Sequence, residues 1–250
     1  MTESIDDVPL ARIEEASLNV MQSVAQLFYD GWLLGLMPGP SKRTRSVNAA
    51  FGSTLALAHK IARCEALYAQ HGLPALFRIT PFVQPRELDD VLDARGYQSF
   101  EPTLVQAIAL REHAAMPCDD TGVRVVDADM FARASAMLRG GATPPQRTAP
   151  PLASCLTVIE EDGQVVAAGR AVLDDEVAGL FDLITAAPVR RRGHASRLTA
   201  ALVGWARRQH ARVAYLQVTA GNAPALAVYA KFGFRTCYAY HYRGRAGECA

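Results

Sequence analysis

Twice in this chain a helical stretch ends at Gln-His and gives way to a strand that ends in Thr. The first instance is Gln70-His71 followed by Ala75, Ile79 and Thr80; the second is Gln209-His210 followed by Ala214, Val218 and Thr219. The match runs on, with Val91 and Ala94-Arg95-Gly96-Tyr97 standing against Val228 and Lys231-Phe232-Gly233-Phe234 after a loop-sized difference in spacing. Helix, strand, helix and an aromatic after glycine therefore recur in one order, the mark of a duplicated unit. A chain of 250 residues has room for two units of roughly 110–130 residues each. If both halves share one fold, the differences between them carry information.

Hydrophobic periodicity supplies the elements. In the first half, Leu10 to Ala25 is helical, with Ile13, Ala16, Val20 and Val24 on one face, and Asp30-Gly31 turns into a short apolar strand through Trp32, Leu33 and Leu34. Met37 to Arg45 reads as a loop. A helix through Leu57, Ile61, Cys64 and Tyr68 stops at His71-Gly72, where glycine suits a left-handed cap. Leu76–Thr80 is a strand, Leu88–Ala94 a helix stopped by Gly96, and Leu104–Leu110 a strand. Residues 112–121 read as a linker between a first domain over 1–111 and a second over 122–250. The second half opens with a strand at Val123–Val126 and a helix at Ala128–Leu138, then a loop from Gly140 to Pro151. A hairpin follows around Glu161-Asp162-Gly163. After it come a strand at Val177–Ile184, a helix with Ala195, Leu198, Leu202 and Trp205 on its apolar stripe, a strand at Val213–Thr219, a helix at Ala223–Lys231 and a strand at Thr236–Tyr242.

Bulk properties narrow the function classes. The chain has 26 Lys and Arg against 25 Asp and Glu, so no global charge draws it to nucleic acid or an anionic membrane, and anion binding must be local. No apolar run reaches the roughly 20 residues that span a bilayer, and the acidic, polar N-terminus does not read as a secretory signal. The five cysteines are scattered, with no metal-ligand spacing, and read as reduced thiols of a cytoplasmic protein that holds no metal.

The most specific local feature is Pro188-Val189-Arg190-Arg191-Arg192-Gly193-His194-Ala195-Ser196-Arg197-Leu198, set between a predicted strand and a predicted helix. The first amides of a helix lack internal partners and sit at the positive end of its dipole, so a diphosphate is well placed there. Gly193 lets the backbone approach it without a Cβ in the way. The pattern of a P-loop NTPase and the glycine fingerprint of a dinucleotide-binding unit are both absent.

Arg190-x-x-Gly193-x-Ala195 resembles the Q/R-x-x-G-x-G/A motif of GNAT acetyltransferases, and Asn222-Ala-Pro-Ala225-Leu226-Ala-Val-Tyr229-Ala-Lys-Phe-Gly233-Phe234 resembles the family's second motif. The likeness extends from about Val123 to Arg243. It implies an α/β fold built as tandem GNAT-like units, with two mixed, mostly antiparallel sheets flanked by helices. It also implies acetyl-coenzyme A as cofactor and transfer of its acetyl group to an amine. On this resemblance the amides of Arg191, Arg192, Gly193, His194, Ala195 and Ser196 hold the pyrophosphate. The backbone of Ile184, Thr185 and Ala186, on a strand splayed from its neighbour, pairs with the pantetheine arm. Asn222 and Ala225 lie against the cofactor, and Tyr229 sits near the thioester sulfur as proton donor. The first half departs from the pattern: Phe51, Gly52, Ser53 and Thr54 face Arg190 to Gly193, and Leu92 faces Tyr229. It reads as a degenerate copy without a cofactor site.

The residues leave the general base and the acceptor open. Asp182 alternates with Ile184 on the cofactor strand, and a carboxylate in an apolar strand needs a partner. It is either a base or a structural hydrogen-bonding group. Tyr238, Tyr240 and Tyr242 share one face of the last strand, with His241 on the other. Trp32, Arg45, Asn48 and Tyr240 are candidate acceptor contacts. The expected partner is a small-molecule or amino-acid-like amine, with no nucleic acid and no membrane, in a monomer or homodimer. A protein N-terminus or lysine as acceptor, a different acyl chain, and a non-catalytic acyl-coenzyme A sensor stay as alternatives.

Overall fold

Residues 8–20, 25–39, 41–110, 119–141 and 151–247 are described by the structure, a computed structural model. In chain order its elements are α1 (Leu10–Val20), β1 (Gln26–Tyr29), β2 (Trp32–Gly35), β3 (Val47–Asn48), α2 (Leu57–Gln70), β4 (Phe77–Ile79), α3 (Leu88–Ala94) and β5 (Gln98–Ala109). The second half adds β6 (Val123–Val125), α4 (Ala128–Leu138), β7 (Ser154–Glu161), β8 (Gln164–Asp174), β9 (Val177–Thr185), α5 (His194–Arg208), β10 (Val213–Thr219), α6 (Ala223–Lys231) and β11 (Arg235–Gly244). Short 3-10 turns occupy Lys42–Arg45 and Ala187–Val189. The strand β1 carries no alternation that would announce it. It is largely exposed and exists through its pairing with β2 across the Asp30-Gly31 turn.

The elements divide into two compact units that are not consecutive in sequence. The C-unit comprises Met1–Val20 and Val105–Cys237, and the N-unit Met21–Leu104 and Tyr238–Ala250. The consecutive division at 1–111 and 122–250 thus differs from this grouping. Residues 10–20 pack in the C-unit, where α1 buries Ile13, Ala16 and Val20 and is fixed by Asn19 Nδ2 donating to Asp174 (2.8 Å). Residues 112–118 of the expected linker and residues 142–150 of the expected loop lie outside the described residues.

Within the N-unit the strands pair in the order β1-β2-β3-β4-β11. The β1–β2 hairpin is antiparallel, as is β2–β3; β3–β4 is parallel, and β4 pairs antiparallel with β11. Helix α2 sets Ile61, Cys64, Leu67 and Tyr68 into the core, which also holds Trp32, Phe77, Leu88, Leu92 and Tyr97.

The C-unit repeats the scheme. Its order is β6-β7-β8-β9-β10-β5. The β7–β8 hairpin and the β8–β9 pair are antiparallel, and β9–β10 is parallel. Both hairpins turn on Asp-Gly with positive φ at each residue, 44° and 83° at Asp30-Gly31 and 49° and 74° at Asp162-Gly163, as a twisted two-residue hairpin requires. In each unit the strand beyond the parallel pair comes from the other half of the chain: β11 lies on β4, and β5 lies on β10. The repeat seen in the letters is therefore matched by the order of strand pairing.

Candidate active site

The head of α5 is built by a tight sequence of turns. Pro188 starts the 3-10 turn after β9, Arg191 takes φ 65°, and Gly193, the N-cap of α5, takes φ 86°. This left-handed backbone, together with open space where a Cβ would point, leaves the helix head uncovered. No side chain caps it, so its first amides have no partner inside the helix. Arg190 to Gly193 are exposed, while His194 turns inward and is buried. Arg197 Nη2 lies 2.7 Å from His194 Nδ1. Burial and the neighbouring Arg197 and Arg192 hold the imidazole below its usual range, against the pull of Glu161. A neutral ring accepting at Nδ1 keeps its proton on Nε2, which faces a Glu161 oxygen at 3.4 Å. The His194 ring therefore points inward and anchors the turn.

In front of this turn the sheet opens. Strands β9 and β10 pair only from Val177↔Val213 to Leu180↔Leu216. Beyond that point β9 stays bonded to β8 through Ala168↔Ile184 and Ala167↔Thr185, and Ala186 N–H donates to the Val166 carbonyl at 2.9 Å. The cause is a bulge: the β8–β9 register shifts between Ala168 and Arg170, and Asp182 takes φ 53°, which bends the strand away. The splay expected at Ile184–Ala186 is present, and the side facing β10 is an unpaired strand edge that can hydrogen-bond an extended chain. On that stretch Arg190 Nε donates to the Thr185 carbonyl at 3.4 Å.

The same bulge breaks the alternation on which Asp182 was read as sharing a face with Ile184. Its carboxylate is held by Arg170 Nε at 2.6 Å and by Arg139 Nη2 at 2.6 Å. The partner that an apolar strand demands is thus a pair of guanidiniums. Arg170 and Arg139 were missed in the sequence, although Arg170 is itself a lone charge among Val166, Ala167, Ala168, Ala171 and Val172. The requirement that pointed to Asp182 applied to it equally.

Helix α6 starts at Asn222, whose Oδ1 accepts from Ala225 N–H at 3.3 Å. The Asn222-to-Ala225 spacing is therefore an N-cap, and the amide Nδ2 is the end left to contact a ligand. Tyr229 is 8% exposed and packs edge-on to Phe234 at 6.0 Å. Burial raises its phenol, so it is protonated at neutral pH and able to donate.

The candidate acceptor residues of the N-unit are placed otherwise. Trp32 is fully buried, its Nε1 donating to the Gln84 carbonyl at 2.8 Å. Asn48 is buried, with Nδ2 on the Ser46 carbonyl at 3.2 Å. Tyr240 is buried beneath the Arg78 guanidinium, 3.9 Å from its ring centre. Arg45 is half-buried, its Nε enclosed. Tyr238, Tyr240 and Tyr242 do share a face, but it is the core face, so these aromatics pack rather than line an open pocket. His241 meets Asp89 at 3.1 Å. Among the described residues no cluster of three or more His, Cys, Asp or Glu is suited to a metal, and no helix is long and apolar enough to cross a membrane. The Cys64 thiol is pushed up to about 12 by burial, far from nucleophilic.

An uncovered helix head set against a strand splayed by a bulge can receive a diphosphate and the extended arm that follows it. Residues 132–234 match the acetyltransferase (GNAT) family. The chain is 23% identical over 255 residues to the uncharacterized N-acetyltransferase YobR of Bacillus subtilis (strain 168), covering 96% of this chain and 99% of that one. A GCN5-related N-acetyltransferase from Kribbella flavida superposes with a TM-score of 0.72 at 20% identity, over 95% of each chain. A tandem GNAT protein from the clavulanic acid biosynthesis pathway superposes with a TM-score of 0.60 at 14% identity, over 80% of this chain and 74% of that one.

Proposed function

We propose that the chain moves an acetyl group from acetyl-coenzyme A to the amine of a small-molecule or amino-acid-like acceptor, at one site in the C-unit. The observation that carries this reading is the alignment of the open α5 head at Gly193 with the unpaired edge of β9 at Ile184–Ala186. The open space beside Gly193 fits a diphosphate, and the strand edge fits the amide-bearing arm that follows it. When bound, the thioester supplies an activated acetyl group. The amides of Arg191 to Ser196 bind phosphate oxygens, and Arg190 to Arg192 add positive charge around them. Ile184 to Ala186 orient the arm through backbone hydrogen bonds. Tyr229, on α6, keeps its proton on Oη at neutral pH and gives it to the leaving sulfur. Asp182, held by Arg139 and Arg170, positions the bulge. The attacking amine loses its proton to solvent, so the rate rises with pH toward the pKa of the free amine.

The test is thiol release from acetyl-coenzyme A across a panel of amines, with binding followed by calorimetry. Turnover on at least one small amine supports the reading. Gly193→Glu is expected to weaken coenzyme A binding about tenfold or more, through strain at positive φ and repulsion of the diphosphate. Unchanged affinity in that variant removes the site from the α5 head. Tight binding without turnover on any amine points instead to an acyl-coenzyme A sensor.

A further inference from the structure

The N-unit has its own turn at the matching place, between β3 and α2, where the C-unit has the turn between β9 and α5. By the sequence register Thr54 corresponds to Gly193 and Leu55 to His194, and in the structure the two stand just ahead of Ala56, the N-cap of α2, where Gly193 is itself the N-cap of α5. In the N-unit this turn is not open. The Asp30 carboxylate, from the β1–β2 hairpin, accepts from Thr54 N–H at 3.0 and 3.1 Å, from Leu55 N–H at 3.0 Å and from Thr54 Oγ1 at 2.7 Å. Lys60, one turn into α2, is fully buried. Its Nζ lies 3.2 Å from the same carboxylate, donates to the Asp30 carbonyl at 2.6 Å and to Ser53 Oγ, and sits 3.9 Å from the centre of the Trp32 ring. Consecutive amides, a hydroxyl and a buried ammonium converging on one anion are what a protein uses to hold a phosphate.

The hairpin is locked onto the turn. Phe51 N–H donates to the Gly31 carbonyl at 3.0 Å, and a Cβ on Gly31 would fall 2.4 Å from the Gly52 carbonyl oxygen. In the C-unit the corresponding hairpin sends Glu161 to the side chains of Arg192 (3.5 Å) and His194 (3.4 Å), and no side chain caps α5. Two copies of one device therefore differ in whether the chain supplies the anion itself.

We infer that Asp30 is a built-in stand-in for a ligand phosphate: the N-unit retains an anion-binding turn at Thr54 and Leu55 that its own carboxylate fills, and that accepts a free phosphate or diphosphate once the carboxylate is removed. The comparison with α5 rests on the function proposed above, but the occupied turn does not. It gives a physical reason for one cofactor site per chain that goes beyond the missing arginines.

Inorganic pyrophosphate is the probe. In the Gly193→Glu background, which closes the C-unit turn, calorimetry is expected to find no pyrophosphate site. Adding Asp30→Gly, which suits the φ of 44° at that position and empties the turn, is expected to create one site per chain. Adding Asp30→Asn instead, which refills the space without the charge, is expected to create none. A folded Asp30→Gly chain that ignores pyrophosphate overturns the inference. If Asp30→Gly leaves the chain unfolded by circular dichroism, recovery of the fold in millimolar pyrophosphate supports it, and failure to recover overturns it. Absence of pyrophosphate binding to the unaltered chain would count against the C-unit site alone, because the gain on Asp30→Gly is read independently.

Discussion

On the function proposed above, Asp182 positions the bulge and Tyr229 transfers a proton. Asp182 holds two guanidiniums, one of them, Arg170, largely buried, so its removal leaves cations without a counter-charge in a poorly solvated place. Asp182→Asn is expected to cost about 2 kcal/mol of stability and, on the positioning role proposed above, to retain turnover within about tenfold with an unchanged pH profile. A base lost outright would cost about 100-fold or more. Tyr229→Phe is expected to do the reverse: kcat falls about 100-fold while calorimetric affinity for coenzyme A holds. Equal kcat in the two proteins removes Tyr229 from the mechanism. At this scale the sequence was legible where backbone geometry alone sets the role. Gly193 could be read because positive φ and an open helix head leave few other residues suitable. Trp32, Asn48 and Tyr240 could not be placed, because whether an aromatic or amide side chain faces the core or a ligand is decided by packing that no local pattern encodes.

Among the elements, β9 does most to shape the site. It is locked at its start and released at its end. Gly179 lies in the locked part, where a Cβ would come within 2.4 Å of the Phe181 ring and 2.8 Å of Tyr215. These two rings meet edge to face at 5.8 Å. Gly179→Ala is expected to cost about 2 kcal/mol, a fall of roughly 4–8 °C in Tm by calorimetry. A wild-type Tm would show that the rings move aside. The helices α2 to α6 and the hairpin turns were legible because 3.6-residue periodicity, Gly caps and Asp-Gly are local signals. The bulge at Asp182 was not. Its register depends on Gly169 in the neighbouring strand, and the alternation rule assumes a regular ladder. Strand β1 escaped notice for a related reason: its ladder partner, rather than its own pattern, makes it a strand.

For the molecule as a whole, charge pairs of the N-unit govern acid tolerance. Burial works against the ionised forms of Asp89 and Glu65, yet the Arg243 and His241 bonds hold Asp89 below the usual carboxylate range, and Tyr97 and Arg245 do the same for Glu65. Backbone N–H of Leu55 and the Thr54 groups hold Asp30 well below it. A carboxylate depressed in this way stabilises the fold above its unfolded value of about 4, and the stabilisation fades as pH falls through the folded value. The Tm difference between the natural chain and Asp89→Asn is therefore expected to be widest near pH 6 and to shrink toward pH 3; a constant gap would deny the ion pairs this role. The exchange of final strands has a further consequence for the history of the chain. Here β5, from the first half of the chain, is a structural part of the C-unit, so deleting residues 21–118 would strip β10 of its neighbour and expose a bare sheet margin to aggregation. Selection that maintains the C-unit therefore also maintains this strand of the first half.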